Sequence, residues 1–265
     1  MFLTPNIPVP RDWFGDLDGR DVLGLASGGG QQGPILAAAG AKVTVFDASE
    51  RQLAQDQAVA ARDGLVLTTR QGFMHDLSAF ADDSFTLIFH PVSNCFAPEI
   101  LPVWREAYRV LRPGALLAGF MNPMVYVFDA AAEDRGELIV KHALPYADIT
   151  HLPADDLQRL IARDHTVEFS HTLEAQIGGQ LQAGFVLTHM FEDRDGGAPA
   201  NVRSAYFPTC MATRGSSRRL DIKLQSSSPG LSWDPGSPFH RRAHGVRRGR
   251  LLNLGDHGWP GHARP

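Results

Sequence analysis

The chain has 265 residues, of which 43% are hydrophobic and 20% are charged, and its formal net charge at pH 7 is -4. This composition is typical of a globular protein with a sizeable core, and it excludes a chain that is disordered throughout. Two cysteines exclude a disulfide framework, and no apolar run is as long as a membrane span, so we expect a soluble cytoplasmic protein without a signal peptide.

From Asp21 onward, short apolar runs alternate with helical patterns. DVLGLA predicts a strand, PILAAAGA a short helix that ends at Gly40, and KVTVFD a β-branched strand. The next segment, SERQLAQDQAVAARDG, predicts a helix that is capped by Ser49 and ended by Gly64. This strand–helix alternation favours parallel pairing.

The same alternation continues to Met121. LVLTTR and SFTLIFH predict strands, PEILPVWREAYRVLRPG predicts a helix stopped by Pro113 and Gly114, and ALLAGFM predicts a fifth strand. We therefore expect an α/β protein with a doubly wound, Rossmann-like and mostly parallel sheet.

The pattern changes in the second half of the chain. An insertion over about 122–171 contains two predicted strands, GELIVKHALPY and HTVEFS. HTLEAQIGGQLQAG predicts a helix capped by Ser170 or Thr172, and FVLTHMFED and SAYFPTCMATR predict two strands in succession. Because no helix separates them, we expect a terminal antiparallel hairpin at the edge of a seven-stranded sheet.

The last segment, 215–265, differs from the rest in charge and composition. It carries nine Lys/Arg against three Asp/Glu, and Gly, Pro, Ser and Arg dominate it without a helix or strand period. We expect a disordered basic tail after a folded domain over 1–214. A basic tail can bind nucleic acid, but no aromatic interleaving supports that role here, so a solvated appendage is the preferred interpretation.

A glycine-rich turn joins the first predicted strand to its helix. Gly28, Gly30 and Gly33 spell G-x-G-x-x-G, and Asp47 ends the second strand, so both belong at the same carboxyl edge of the sheet. A carboxylate there can accept both hydroxyls of a ribose while the turn brings backbone N–H groups to the ligand. The pattern predicts a cofactor that contains adenosine, either a dinucleotide or S-adenosyl-L-methionine.

Four stretches in this order carry a resemblance to a known family: VLGLASGGG, VFDAS, GFMHDLSAFADDSFTLIF and REAYRVLRPGALLAGF. Over roughly residues 20–214 the chain resembles a class I S-adenosylmethionine-dependent methyltransferase of the small-molecule type 11, or ubiquinone/menaquinone-biosynthesis-like, group. The resemblance implies S-adenosyl-L-methionine as cofactor and a small-molecule methyl acceptor. It implies cofactor contacts from nine residues: Ala26, Ser27, Gly28, Gly30, Asp47, Ala48, Phe73, Met74 and His90.

Four positions depart from the family's pattern, one of them Ala26, which stands where the first motif usually carries its first glycine. Gly24 stands where the first motif usually carries an acid, and Thr86 replaces the customary Asp of the fourth strand. Phe73 replaces the Asp that commonly bonds the adenine amine, so we expect Phe73 to pack against the base while the Met74 backbone bonds it.

The segment HPVSN, residues 90–94, follows the fourth strand and belongs beside the cofactor. His90 is the candidate for contacting the methionine part or for acting as a base, against the alternative of a hydrogen-bonded loop residue. Ser93 and Asn94 are candidates for orienting the acceptor, and no His/Cys/Asp cluster has metal-ligand spacing. Two alternatives stay open beside methyl transfer: a degenerate cofactor-binding module without catalysis, and a nicotinamide-dependent oxidoreductase.

Overall fold

A single sheet of seven strands organises the protein. The computed structural model describes residues 1–163, 165–195 and 202–217. Within them the strands are β1 (Asp21–Leu25), β2 (Lys42–Asp47), β3 (Leu67–Gln71), β4 (Phe85–His90), β5 (Leu111–Met121), β6 (Val186–Asp193) and β7 (Cys210–Ser216). Their order across the sheet is β3-β2-β1-β4-β5-β7-β6.

The pairing confirms the predicted sheet. The pairs β1–β2, β1–β4, β2–β3 and β4–β5 are parallel, whereas β7 is antiparallel to both β5 and β6. The chain order reverses between β1 and β4, and in doubly wound sheets such a switch point opens a crevice at the carboxyl ends of the strands. The terminal hairpin is also as predicted, with β6 at the edge and β7 between β5 and β6.

Helices cover both faces of the sheet. The α-helices are α1 (Arg11–Phe14), α2 (Gln32–Ala38), α3 (Glu50–Asp63), α4 (Leu101–Val110), α5 (Ala130–Glu133), α6 (Asp148–His151), α7 (Ala154–Ala162) and α8 (Gly179–Ala183). Shorter turns of 3-10 helix cover Asn94–Phe96, Pro123–Val127 and Val202–Ala205, and Glu174–Gly178 is a π-helical turn.

Successive residues of the central strands serve two separate cores. Val22 of β1 packs in the cluster that contains Leu36 of α2 and Leu53 of α3. Leu23, the next residue, packs in the cluster that contains Trp104 of α4 and Phe185. Successive strand side chains point to opposite faces, so a strand buried on both sides is a continuous apolar run, as DVLGL is.

The helix signals of α3 are confirmed. Ser49 precedes the first turn, and its hydroxyl accepts a hydrogen bond from the N–H of Gln52 at 3.3 Å. Gly64 ends the helix with φ +66°, a left-handed conformation that glycine adopts without steric cost. Helix α3 therefore begins at the edge of the sheet where β2 ends, close to Asp47.

The predicted end of the fourth helix is wrong. Helix α4 ends at Val110, and β5 already begins at Leu111, so Pro113 and Gly114 lie within the strand. The first residue pair between β4 and β5 is Phe85 with Leu111, and the next is Leu87 with Ala115. The register shifts between these two pairs, so the segment of β5 that contains Pro113 is not regularly paired. The proline is therefore accommodated where the ladder is interrupted, which is where a strand tolerates it.

The two strands predicted in the insertion are also wrong. GELIVKHALPY and HTVEFS make only the isolated bridges Phe128↔Val140 and Ala147↔Phe169. Their apolar residues do not find a common buried face, since Val140 is 71% exposed and Ile139 is 49% exposed. The regular elements that the structure describes in the insertion are helical, namely α5, α6, α7 and the 3-10 turn Pro123–Val127, and irregular segments join them.

The C-terminal strand begins later and ends later than predicted. SAYFP does not belong to it, because Val202–Ala205 is a 3-10 turn and β7 starts at Cys210. At its other end β7 passes the predicted boundary after Arg214: Gly215 pairs with Leu116, and Ser216 pairs with Ala115. The remainder of the predicted tail, from residue 218, lies outside the described residues.

Candidate functional site

A cavity of about 900 Å³ opens where the carboxyl ends of the parallel strands meet. Seven residues that the sequence predicts for the cofactor line it: Ala26, Ser27, Gly28, Asp47, Ala48, Phe73 and Met74. Three of them, Ala26, Ser27 and Gly28, follow β1. Asp47 and Ala48 lie at the end of β2, and Phe73 and Met74 follow β3. The sheet therefore assembles at one edge the side chains that are separated by almost 50 positions in the sequence.

The glycine turn after β1 contains one residue with positive φ and is held by a backbone hydrogen bond and two carboxylates. Ala26 has φ +47°, and its N–H donates to the carbonyl of Phe46 at 2.7 Å. The N–H of Gly28 donates to Oδ2 of Asp47 at 2.9 Å, and that of Gly29 donates to Oδ2 of Asp56 at 2.9 Å. A non-glycine residue with positive φ is uncommon and is most often found at functional sites.

Asp47 connects this turn to the start of α3. Its Oδ1 accepts from the N–H of Ser49 at 2.9 Å, while Oδ2 accepts from Gly28. An ionised carboxylate offers about four acceptor positions, so two remain for a ligand after these bonds. The side chain is half-buried and lines the cavity, in the place where the sequence predicts a ribose-binding acid.

Asp56 is a part of the site that the sequence analysis missed. It is fully buried in α3, and burial is the largest cause that raises the pKa of its carboxyl group. The sequence did carry a signal: Leu53, Asp56 and Ala60 are the buried residues of α3, so an acid stands on the apolar stripe of that helix. An acid on such a stripe needs a specific partner, which here is the glycine turn.

Phe73, Met74 and His75 form the wall of the cavity that follows β3. The Phe73 ring is 65% exposed, and it stacks on His75 with 5.7 Å between ring centroids and 20° between planes. A large exposed aromatic side chain that lines a cavity leaves a flat apolar face for a ligand.

Gly30 is not brought into the cavity. It has φ +77°, and a Cβ at this position would point toward α3, at 3.1 Å from Cγ2 of Val59 and 3.2 Å from the carbonyl of Gln55. Glycine is required here by backbone conformation and by the close approach of the helix.

His90 is also outside the cavity. It ends β4 with no exposed surface, its Nδ1 lies 2.8 Å from the carbonyl oxygen of Leu25, and its Nε2 lies 2.5 Å from Oδ1 of Asn94. Burial lowers the pKa of His90. In this position it matches the alternative of a hydrogen-bonded residue and does not line the cavity.

The departure at Gly24 has a structural counterpart in Ser27. A Cβ at position 24 would collide with the Oγ of Ser27, so the serine hydroxyl lies beside the strand where the family usually carries an acid. Ser27 is 3% exposed, and its Oγ is a buried oxygen without a hydrogen-bond partner among the described residues. Such an orphaned group in a cavity wall suits a polar ligand.

The wall opposite the glycine turn follows β4. Pro91, Val92, Ser93, Phe96, Ala97 and Pro98 line it, and Thr166 of the insertion completes it. Ser93 donates from Oγ to the carbonyl of Pro91 at 2.9 Å, whereas Asn94 is fully buried behind this wall. Of the two residues predicted to orient an acceptor, only Ser93 therefore lines the cavity.

A second cavity, of about 360 Å³, lies within the insertion. The Tyr126 hydroxyl donates there to Oε2 of Glu168 at 2.9 Å, and Arg203 pairs with Glu133 at 3.2 Å. Burial raises the pKa of the Glu168 carboxyl group. Tyr126 thus lines this second cavity and does not line the first.

The thiols have no features of nucleophiles. Cys95 and Cys210 are both buried and free, as expected. Burial raises the pKa of Cys95 to about 12 and that of Cys210 to about 11, so both stay protonated at neutral pH. Among the described residues, no group of three His, Cys, Asp or Glu side chains is arranged to hold a metal ion. No helix in the described ranges is both long and apolar enough to span a membrane.

Comparisons with known proteins show the family to which the chain belongs. Residues 23–119 match the family model of a methyltransferase domain. The chain is 53% identical over 213 residues to YbaJ, an uncharacterized methyltransferase of Bacillus subtilis, a match that covers 80% of this chain and 82% of that protein. The chain therefore belongs to the S-adenosylmethionine-dependent methyltransferase family.

Solved structures show the same fold at low sequence identity. An S-adenosylmethionine-dependent methyltransferase from Mesorhizobium loti superposes with a TM-score of 0.61 at 17% identity, over 78% of this chain and 94% of that one. One from Methanosarcina mazei gives a TM-score of 0.54 at 14% identity, over 77% of this chain and 94% of that one. The family model and the Bacillus subtilis relative thus make the protein a methyltransferase, the solved structures show that it shares the fold of S-adenosylmethionine-dependent methyltransferases, and neither comparison favours a nicotinamide-dependent oxidoreductase.

Proposed function

We propose that the 900 Å³ cavity binds S-adenosyl-L-methionine and that the protein transfers its methyl group to a small molecule bound against the 91–98 wall. The observation that supports this proposal is the convergence in one cavity of Asp47, Phe73 and the turn Ala26–Gly28. Cavities of this size are within the range that holds small molecules and cofactors.

Each part of the cofactor has matching chemistry in the wall. The two acceptor positions left on Asp47 suit the ribose hydroxyls, and the exposed face of Phe73 suits the adenine, with the Met74 backbone beside it. The orphaned Oγ of Ser27 suits the polar methionine end, and Ala48 lines the cavity next to Asp47. In this arrangement Ser27 supplies a polar contact on the side where Gly24 offers none.

Bound there, the cofactor supplies a methyl group on a positively charged sulfur, and the protein's task is to hold the acceptor in line with it. Positioning alone can supply much of the rate of such a transfer. The polar side chains that line the 91–98 wall are Ser93 and Thr166. A hydroxyl group does not act as a general base at neutral pH unless another group removes its proton. We therefore infer an acceptor whose reacting atom is nucleophilic without proton removal by this wall.

We also propose a cellular location and a boundary for the catalytic domain. A cytoplasmic location is supported by two unpaired, buried thiols, which persist in a reducing compartment. We propose that the catalytic domain ends after β7 and that the residues beyond it are not needed for cofactor binding.

The cofactor site can be tested without knowing the acceptor. Phe73→Ala removes an exposed ring, so the fold should keep its stability while the affinity for S-adenosylhomocysteine falls by about 0.5–1.5 kcal/mol. Tyr206→Ala is the matched control, because Tyr206 is 71% exposed and lies outside the cavity lining. Isothermal titration calorimetry measures both variants. Equal affinities for wild type and Phe73→Ala would contradict the proposed adenine position.

A further inference from the structure

Residues 1–9 form a loop that is closed on itself, and we call it the N-terminal loop. Phe2 forms an antiparallel bridge with Pro8, so the two ends of the loop lie side by side. Between them Leu3 is 1% exposed and packs in one of the two core clusters. The loop is therefore anchored in the folded domain by a buried side chain.

The backbone of Leu3 contacts the 91–98 wall of the cavity. Its carbonyl oxygen accepts a hydrogen bond from the N–H of Val92 at 3.1 Å, and Val92 lines the cavity. A backbone N–H in a loop outside the sheet ladders needs such a partner, because leaving it unpaired away from water costs free energy. The position of this part of the wall therefore depends on the position of the Leu3 carbonyl.

Gly119 allows the Leu3 carbonyl to come this close to the sheet. It lies near the carboxyl end of β5, and a Cβ there would be 2.2 Å from the carbonyl oxygen of Leu3 and 2.9 Å from its carbonyl carbon. Gly119 is not among the glycines with positive φ, so close approach is the reason for a glycine here. Any side chain at this position would displace the carbonyl that holds Val92.

Asp193 holds the other side of the N-terminal loop. It ends β6 and pairs with Cys210, which in turn pairs with Met121, so it lies at the edge of the sheet where β5 ends. Its Oδ2 accepts from the N–H of Asn6 at 2.8 Å and from the N–H of Ile7 at 3.0 Å. Hydrogen bonds to a carboxylate are stronger than those between neutral groups, and Asp193 is 4% exposed, so this contact fixes the loop.

We propose that Asp193 and Gly119 are positioning residues for the acceptor side of the cavity. Asp193 holds the N-terminal loop in place. Gly119 admits the Leu3 carbonyl, and this carbonyl holds Val92 in the wall. Neither Asp193 nor Gly119 lines the cavity itself. The proposal rests on the proposed function, in which the methyl acceptor binds against the 91–98 wall.

The link from the loop to the wall is tested by amide hydrogen exchange at Val92, followed by NMR. Asp193→Ala removes the acceptor of the two loop N–H groups and should speed exchange at Val92 by about tenfold relative to the amides of β1, which report global opening. Asp193→Asn keeps an oxygen that can accept both N–H groups, and we expect it to stay within about threefold of wild type. Equal relative exchange at Val92 in wild type and Asp193→Ala would overturn the proposal.

The functional role is tested with S-adenosylmethionine and S-adenosylhomocysteine, which differ by one methyl group and by the charge on the sulfur. In the proposed function this methyl group points toward the acceptor side, so a displaced wall should affect the first ligand more than the second. Asp193→Ala should lower the affinity for S-adenosylmethionine by about fourfold relative to S-adenosylhomocysteine, the effect of exposing one methyl group. Isothermal titration calorimetry gives both affinities, and Asp193→Asn should restore the wild-type ratio.

Gly119→Ala and Gly114→Ala form a matched pair within β5. A Cβ at position 114 would lie 2.1 Å from the carbonyl oxygen of Thr86, so both variants force a methyl group against a backbone carbonyl. Thr86 lies near the start of β4, at the end of that strand away from the cavity. Both variants should lose stability, but only Gly119→Ala should change the ratio of the two affinities, and it replaces Asp193→Ala if that variant does not fold.

The outcomes separate this proposal from the cofactor position. Weaker binding by Phe73→Ala together with an unchanged ratio in Asp193→Ala and Gly119→Ala would overturn the positioning role alone. Equal changes of the ratio in Gly119→Ala and Gly114→Ala would also overturn it, because the effect would then be one of general stability. Unchanged binding by Phe73→Ala would overturn the cofactor position instead, and the exchange of the Val92 amide does not depend on that position.

Discussion

Gly28 and Gly30 belong to the same turn, but different physical reasons require a glycine at each. Gly28 lines the cavity, and a Cβ there would lie 2.8 Å from Cβ of Gln52 and 3.1 Å from Oδ2 of Asp47. Gly30 has φ +77° and faces Val59 of α3. A side chain at position 28 therefore displaces groups that line the cavity, whereas one at position 30 strains the backbone against a helix.

These two reasons predict different effects of alanine. Gly30→Ala should lower the free energy of unfolding by about 1–3 kcal/mol, measured by urea denaturation, with a small change in affinity for S-adenosylhomocysteine. Gly28→Ala should act chiefly on that affinity. Gly64→Ala is the control for backbone strain alone, because Gly64 has φ +66° with open space around its Cβ position, and it should cost less than Gly30→Ala. A Gly30→Ala variant that is stable but does not bind would refute the assignment.

At the residue level, the sequence predicted the parts of the site that depend on strand ends. Asp47, Phe73 and the turn through Gly28 each follow a strand directly, and parallel strands bring such positions to one edge. The position of a strand end does not predict whether a particular residue faces the cavity. Gly30 lies outside the cavity because its φ is positive and its Cα faces α3, and His90 lies outside it because buried hydrogen bonds hold its ring. Neither of these two causes produces a periodicity in the sequence.

Among the elements, α3 connects the fold to the site. Asp56 lies on its buried stripe and accepts the N–H of Gly29 at 2.9 Å, while its Oδ1 is buried without a hydrogen-bond partner among the described residues. Burial raises the pKa of this carboxyl group, so the folded protein holds the proton more tightly than the unfolded chain does. Across the window between the unfolded and the folded pKa, the free energy of unfolding contributed by Asp56 thus falls as pH rises.

Asp56→Asn should remove this pH-dependent term. We expect the stability of the variant, relative to wild type, to increase as pH rises through that window, measured by urea denaturation from about pH 4 to pH 7. Asp63→Asn provides a control of opposite sign at lower pH, because the hydrogen bond from Arg62 lowers the pKa of Asp63 and its titration window therefore lies below about pH 4, so this variant and wild type are followed down to about pH 2. If the difference in the free energy of unfolding between Asp56→Asn and wild type does not vary with pH, the interpretation that burial raises the pKa of Asp56 is wrong.

The elements that the sequence predicted well are those with local signals. Helix α3 has a capping serine and a terminal glycine, and β1 has a continuous apolar run, so both were predicted nearly to their ends. The insertion lacks such signals. Val140 and its neighbours look like strand residues, but a strand needs a partner along its length, and the structure offers a single bridge to Phe128.

The folded domain extends past the residue at which the composition of the chain changes. The change in composition at residue 215 predicted a boundary after Arg214, but Gly215 and Ser216 pair with β5 in the sheet. Ser217 adds side-chain bonds, since its Oγ accepts from the N–H of Gly114 at 3.0 Å and donates to the carbonyl of Arg112 at 2.8 Å. A change in composition thus locates a boundary only to within a few residues, because sheet pairing is non-local.

Two truncations test this boundary. A chain that ends at Arg214 loses the pairs of Gly215 and Ser216 and both side-chain bonds of Ser217. At about 0.5–1.5 kcal/mol for each hydrogen bond, the two bonds of Ser217 alone should make it less stable by about 1–3 kcal/mol than a chain that ends at Ser217. Thermal unfolding of the two chains gives the comparison, and residues beyond 217 are absent from both. Equal unfolding midpoints would place the end of the domain at Arg214, as composition suggested. A lower midpoint for the shorter chain would show that the last strand needs its full length, because the edge strand β6 is bonded to the sheet through β7.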